Sequence, residues 1–185
     1  EAGRDAADIT PNQEPQQLYD PRAVSCYPAE GMTRELYAGY TKNYSAAFSP
    51  SGSYISQPGY LNEPNTVIDL EDSSFVHHNG VIYIQGLWLT GLEKLVHARQ
   101  TENYEDYIAI KFSTIEANVV LSLEGGQRYQ VRITLDGGPL DPSQAGTDIR
   151  FDDDGNSFTL VEASDMYHVV QLPQFGPHEL RISSN

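Results

Sequence analysis

Cysteine is almost absent: the 185 residues carry a single one, Cys26. One thiol closes no disulfide within the chain and excludes both a Cys-x-x-Cys redox pair and a cysteine-built zinc site. Positive charge is scarce as well. Eleven Lys and Arg stand against 26 Asp and Glu, a formal net charge of -15. Electrostatics of that sign repel phosphate backbones and anionic headgroups, so no nucleic-acid partner is expected. No apolar run reaches the ~20 residues of a membrane-spanning helix, so no direct membrane insertion is expected either. There is no Gly-x-Ser-x-Gly elbow, and Cys26 has no histidine near it in sequence, which removes the usual signatures of nucleophilic catalysis. The chain opens on Glu1 without an apolar leader, and we expect a processed chain or a piece of a longer one.

What is there supports a packed core: 39% hydrophobic residues with 20% charged. The prolines crowd towards the front, at Pro11, Pro15, Pro21, Pro28, Pro50, Pro58 and Pro64. Residues 1–32 have neither a two-residue nor a 3.6-residue period, and their prolines remove ladder donors, so they read as an extended arm or linker. Residues 33–185 read as an all-β domain, an antiparallel β-sandwich or jelly roll. The clearest strand is RYQVRITLDGG, where Tyr129, Val131, Ile133 and Leu135 alternate with Arg128, Gln130, Arg132 and Thr134 before Asp136-Gly137-Gly138 closes it. VIYIQGLWLTG, YEDYIAIKF, ANVVLSL, SFTLVE, MYHVVQL and HELRI repeat the signal between turn clusters. No segment makes a convincing amphipathic helix, and LEKLVHARQTENY is taken as extended. The expected core is Leu87, Leu89, Ile108, Ile110, Phe112, Val131, Ile133 and Leu135.

The segments carrying Gly86-Leu87-Trp88, His97-Ala98-Arg99, Asp106-Tyr107-Ile108-Ala109, Leu135-Asp136-Gly137 and His178-Glu179-Leu180 resemble the C-terminal domain of DipZ-type thioredoxin-like redoxin proteins. The resemblance runs from about Met32 to the C-terminus. It implies a β-sandwich similar to carbohydrate-binding modules, a periplasmic or extracellular location, and no catalytic residues on this domain. Two departures stand out. A proline-rich arm occupies the place of the thioredoxin domain, and the chain ends at Asn185 where the family continues into one more aromatic strand.

Among chemistry-bearing groups, His77 and His78 are adjacent and would point to opposite faces of a strand, while His97, His168 and His178 are scattered. A shared metal site would need His97, His168 and His178 to converge through tertiary structure, and His97 and His178 are read instead as half-buried polar residues tying strands together. Asp152, Asp154 and Asn156 alternate oxygen ligands around Gly155 and are the candidate ligands of a structural Ca2+. The bidentate glutamate of an EF-hand loop is missing, and a hairpin turn is the favoured reading of the same residues. No other cofactor is expected. Aromatics are the strongest remaining signal. Tyr37, Tyr40 and Tyr44 are spaced to form one patch and Tyr104 and Tyr107 another. Trp88 would face away from the core if Leu87 and Leu89 face it. The expected function is a non-catalytic binding module that contacts a protein partner or a neutral glycan through these residues. The alternative is a structural accessory subunit docked through its arm.

Overall fold

The computed structural model describes residues 31–50, 52–123 and 125–185, so the expected arm lies almost wholly outside the described residues. The described chain runs α1 (Tyr40–Ala47), β1 (Val67–Leu70), β2 (Ile82–Thr90), β3 (Leu95–His97), β4 (Asp106–Leu121), β5 (Tyr129–Leu135), β6 (Gly138–Pro139), β7 (Arg150–Phe151), β8 (Ser157–Val161) and β9 (Asp165–Ser184). The fold is all-β, as the alternating segments require. The strands join antiparallel in the order β1-β2-β4-β9-β5-β8-β7, with β3 added to β2 and β6 to β5.

Two long strands organise this path. β4 and β9 pair from Asp106↔Ser184 to Leu121↔Asp165, with register shifts between Thr114 and Glu116 and between Ala117 and Asn118. The second shift leaves Val169 without an opposite number, and both Val169 and its neighbour Val170 are fully buried. One core cluster collects Val169, Val170 and Leu172 from the first half of β9 with Phe112, Val131, Ile133, Leu135, Leu180 and Ile182. Both halves of the long ribbon therefore serve the same apolar interior. A second cluster holds Ile55, Tyr60, Leu70, Ile82, Ile84 and Trp88, and Ile110 packs against both clusters.

β5 follows its alternation closely, with Val131, Ile133 and Leu135 buried and Arg132 and Thr134 half-buried on the other face. β2 corrects the reading of Trp88, Leu87 and Leu89. Ile82 and Ile84 are buried in the core, and Trp88, an even number of residues further along, shares their face at 5% exposure. The leucines fall on the opposite face and are only half-buried. Ile108 and Ile110, also expected inside, are half-buried but pack against the core. Helix α1 is a second difference. Its eight residues carry no apolar stripe; it forms because its first donors, the N–H groups of Tyr40 and Thr41, bond to the carbonyls of Gly91 and Leu92. Buried Asn43 completes the anchorage: its amide donates to Tyr37 O and Gly39 O and accepts from the N–H groups of Tyr54 and Ile55.

The start of β4 is locked by a buried carboxylate. Asp106 is fully buried and accepts hydrogen bonds from His97 Nε2 (2.9 Å), from Arg99 Nε and Nη2 (2.7 and 2.5 Å) and from the Leu87 N–H (3.3 Å). Gly86 makes room for it. A Cβ at that position would lie 2.0 Å from the carboxylate, and the backbone there has φ +102. Burial alone would raise the Asp106 pKa, but the hydrogen bonds from Arg99, His97 and the Leu87 N–H outweigh it and hold the value below the ordinary one. Gly86-Leu87-Trp88, His97-Ala98-Arg99 and Asp106-Tyr107 thus meet in one structural latch.

Three outcomes follow. Ile133→Ala should cost about 2–5 kcal/mol in urea unfolding with an unchanged m-value, since Ile133 is fully buried. Asp106→Ala should cost about 3 kcal/mol, the low end for breaking a buried ion pair, because the partly exposed Arg99 can return to water. A lowered folded pKa means that the Asp106 contribution is complete above the unfolded value of about 4 and lost as pH falls through the folded one. Stability measured against pH should therefore fall less steeply below about pH 4 in Asp106→Asn than in the parent.

Candidate functional site

The face of the sheet opposite the core is not bare. Ladder register places Tyr83, Tyr107, Ala109, Lys111, Glu179, Arg181, Ser183, Arg132 and Thr134 on it. Ala109, Tyr83 and Ser183 are nevertheless buried, at 0%, 5% and 5% exposure. Cover comes in part from residues 71–80, which cross this face between β1 and β2 and are fastened by His77. The imidazole stacks on the Tyr83 ring, with centroids 3.9 Å apart and planes 13° from parallel. Its Nδ1 lies 2.9 Å from Glu179 Oε2, and its Nε2 lies 3.2 Å from Asp72 Oδ1. Each ring nitrogen thus has a carboxylate oxygen within hydrogen-bond reach, and the ring bridges the loop to β9. The Tyr83 hydroxyl accepts from the His78 N–H at 3.0 Å.

Beside this fastening lies a cleft of about 260 Å³ lined by Asp72, Ser74, Phe75, His77, Tyr107, Glu179 and Arg181. The Asp72 side chain is 3% exposed and accepts from the Tyr107 hydroxyl at 3.0 Å. Burial first, then that hydrogen bond and the Asp72 charge, push the Tyr107 phenol above its ordinary pKa, so it stays a neutral donor. Arg181 lies over the Tyr107 ring at 4.0 Å and 3.4 Å from Glu179 Oε1. Two carboxylates thus face one guanidinium and one imidazole. On the rim, Phe75 is 105% exposed and Val76 65%. A larger, more open depression of about 720 Å³ near Leu123, Arg128 and Glu162 holds the exposed Arg128–Glu162 pair at 3.8 Å, and Glu162 also pairs with Arg150 at 3.6 Å. Its size does not make it the better site, because the polar side chains that line it, Gln127, Arg128 and Glu162, are all exposed.

The aromatic residues singled out from the sequence do not gather in one place. Tyr107 lines the cleft, and Tyr104 lies beyond the end of β4 with the Arg132 guanidinium 4.1 Å over its ring. Tyr40 and Tyr44 stack on α1 at 5.7 Å, and Phe48 adds an edge contact to Tyr44 at 5.3 Å. This ladder opens outward, with Tyr44 49% and Phe48 79% exposed. Tyr37 stands apart, edge-on to Tyr54 at 5.5 Å and bonded to Glu35. Trp88 is withdrawn from any ligand: its indole sits in the core and its N–H donates to Gln85 O at 2.8 Å.

The Asp152–Asn156 loop is a tight turn with Gly155 at φ +80. Asp152 Oδ1 accepts from the N–H groups of Asp154 and Asn156 (3.0 and 2.8 Å), and the Asn156 amide donates to both Asp152 oxygens. The side chain of the first candidate calcium ligand is thus already used to close the turn. Among the described residues, no cluster of three or more His, Cys, Asp or Glu is arranged to hold a metal ion. His178 and Asp136 form a comparable structural pair at 2.7 Å, with the Glu179 N–H on the other Asp136 oxygen at 2.8 Å.

Asp72, His77, Phe75, Glu179 and Arg181 were missed as site residues. Glu179 was quoted only within a motif, and His77 was set aside because its neighbour His78 would face the other way. Nothing local joins His77 to Glu179, which lies 102 residues later. The chain matches no protein-family model and no curated protein.

His77→Gln tests the fastening. A glutamine amide donates at one end only, so residues 71–80 should exchange amide hydrogens at least about tenfold faster while β5 and β9 keep their protection. Equal exchange in both proteins would show that the segment is held by something else.

Proposed function

We propose that this chain is a non-catalytic binding module whose recognition surface is the second face of the sheet, centred on the Asp72–His77–Tyr107–Glu179–Arg181 cleft, and that its ligand is a glycan, in the main neutral. One observation carries the reading: the cleft is lined by planar polar groups of both acidic and basic kinds, beside an aromatic ring that is fully exposed. Such a lining offers hydroxyl groups both donors and acceptors, and Phe75 offers a flat apolar platform at the rim. The chemistry argues against turnover at this place. Both nitrogens of His77 are occupied by carboxylates, leaving no ring nitrogen to serve as a general base. The resemblance to DipZ-type C-terminal domains, similar to carbohydrate-binding modules, agrees with the reading and adds a periplasmic or extracellular setting.

A second reading has its own observation. The exposed Tyr40–Tyr44–Phe48 ladder is an aromatic surface of the kind that anchors protein partners, and it favours an accessory subunit of a larger assembly.

Immobilised neutral oligosaccharides separate the two. The first reading expects weak binding, on the order of micromolar to millimolar, reduced at least about tenfold by Phe75→Ala and unaffected by joint replacement of Tyr40, Tyr44 and Phe48 with Ala. Phe75 makes no core contact, so that variant should unfold like the parent. Binding abolished by the α1 triple variant and untouched by Phe75→Ala would move the site to the helix. Hydrolysis of the oligosaccharide would contradict the non-catalytic reading.

A further inference from the structure

Acidic and basic groups are not spread evenly over this face. Along β9 the second face reads Glu179, Arg181, Ser183, and β5 sets Arg132 opposite Ser183 and Thr134 opposite Arg181. The two arginines are therefore diagonal neighbours on one face, and Tyr107, also opposite Ser183, completes the row Tyr107–Ser183–Arg132. Asp72, His77 and Glu179 gather at one end of this array, with Arg181 and Arg132 at the other.

Each guanidinium is pre-set by a phenol ring: Arg181 over Tyr107 at 4.0 Å and Arg132 over Tyr104 at 4.1 Å. Stacking fixes the plane of the fork and leaves its N–H edge to an acceptor. Among the described residues no carboxylate comes within ion-pair distance of Arg132. Asp152 is near enough to feel its charge, but the Asp152 oxygens are committed to their own turn. Arg181 has only the 3.4 Å contact to Glu179. Like charges at diagonal positions on a sheet oppose one another, and here they recur in a chain with more than twice as many acids as bases. A planar anion set between them would relieve that repulsion. Ser183 and Thr134, both small, form the floor between the two stacks.

We propose that the ligand is a glycan bearing a carboxylate, a uronic acid residue, with its hydroxyl edge towards Ser74 and Glu179 and its carboxylate on Arg181 and Arg132. This deepens the binding-module reading and rests on it. A single planar carboxylate suits the forks. A denser polyanion would meet the acidic end of the cleft and the net charge of -15.

The test is calorimetric titration of the full chain with methyl glucuronide, methyl glucoside and glutarate, repeated with Arg132→Ala and Arg132→Lys. The glucuronide should bind at least about tenfold more tightly than the glucoside, with the advantage shrinking as salt rises. Arg132→Ala should bring the glucuronide down to the glucoside value. Arg132→Lys, which keeps the charge and loses the fork, should recover only part of the difference. Equal affinities for the two glycosides would overturn this inference and leave the neutral-glycan reading standing. Glutarate binding as tightly as glucuronide would overturn it too, since the sugar ring would then go unread. Binding of none of the three would overturn it together with the reading beneath it.

Discussion

The antiparallel ladder between β4 and β9 is the constraint on which the remaining structure depends. One face of it supplies Ile108, Ile110, Phe112, Leu180 and Ile182, around which the core assembles. The other presents Tyr107, Lys111, Glu179 and Arg181 in fixed register. Because side chains alternate with a period of two, a slip of one residue would exchange the two sets. The same register that buries the core thus decides which charged groups can meet across the second face.

The Asp106 latch holds one end of that ladder. It places a carboxylate where a side chain at position 86 would otherwise stand and satisfies it from three directions, tying β2, the segment after β3 and β4 together. The His77 fastening uses related chemistry for another purpose. There one imidazole spans two carboxylates and holds residues 71–80 over the sheet, so that Phe75 stands on a supported loop. A loop fastened in this way has less backbone freedom to lose on meeting a ligand. The cleft directly beside it is the basis of the recognition role proposed above.

Fold class was legible in the sequence because strand alternation is local. β5 could be read directly from Val131, Ile133 and Leu135, each of which is buried. The face of β2 was misread for a physical reason. Leu87 and Leu89 are as apolar as the residues that do enter the core, and only the pairing with β1 and β4 shows that Ile82, Ile84 and Trp88 share the inner face. Helix α1 escaped notice because its stability comes from the 91–92 turn and from Asn43, not from a pattern within its own eight residues. The cleft escaped for a related reason: its walls come from a loop, from β4 and from β9, and no spacing in the sequence joins them. Tyr104 and Tyr107 could be picked out by residue type; the arginines that stack on them could not.

The most direct measurement of the central claim is amide chemical-shift mapping of the labelled chain during titration with a uronic-acid-containing oligosaccharide. The account predicts shifts confined to residues around Asp72–His77, Tyr104–Tyr107, Arg132 and Glu179–Ser183, with α1 and the 152–156 turn unmoved. Shifts concentrated on Tyr40, Tyr44 and Phe48, or none anywhere at millimolar ligand, would contradict it.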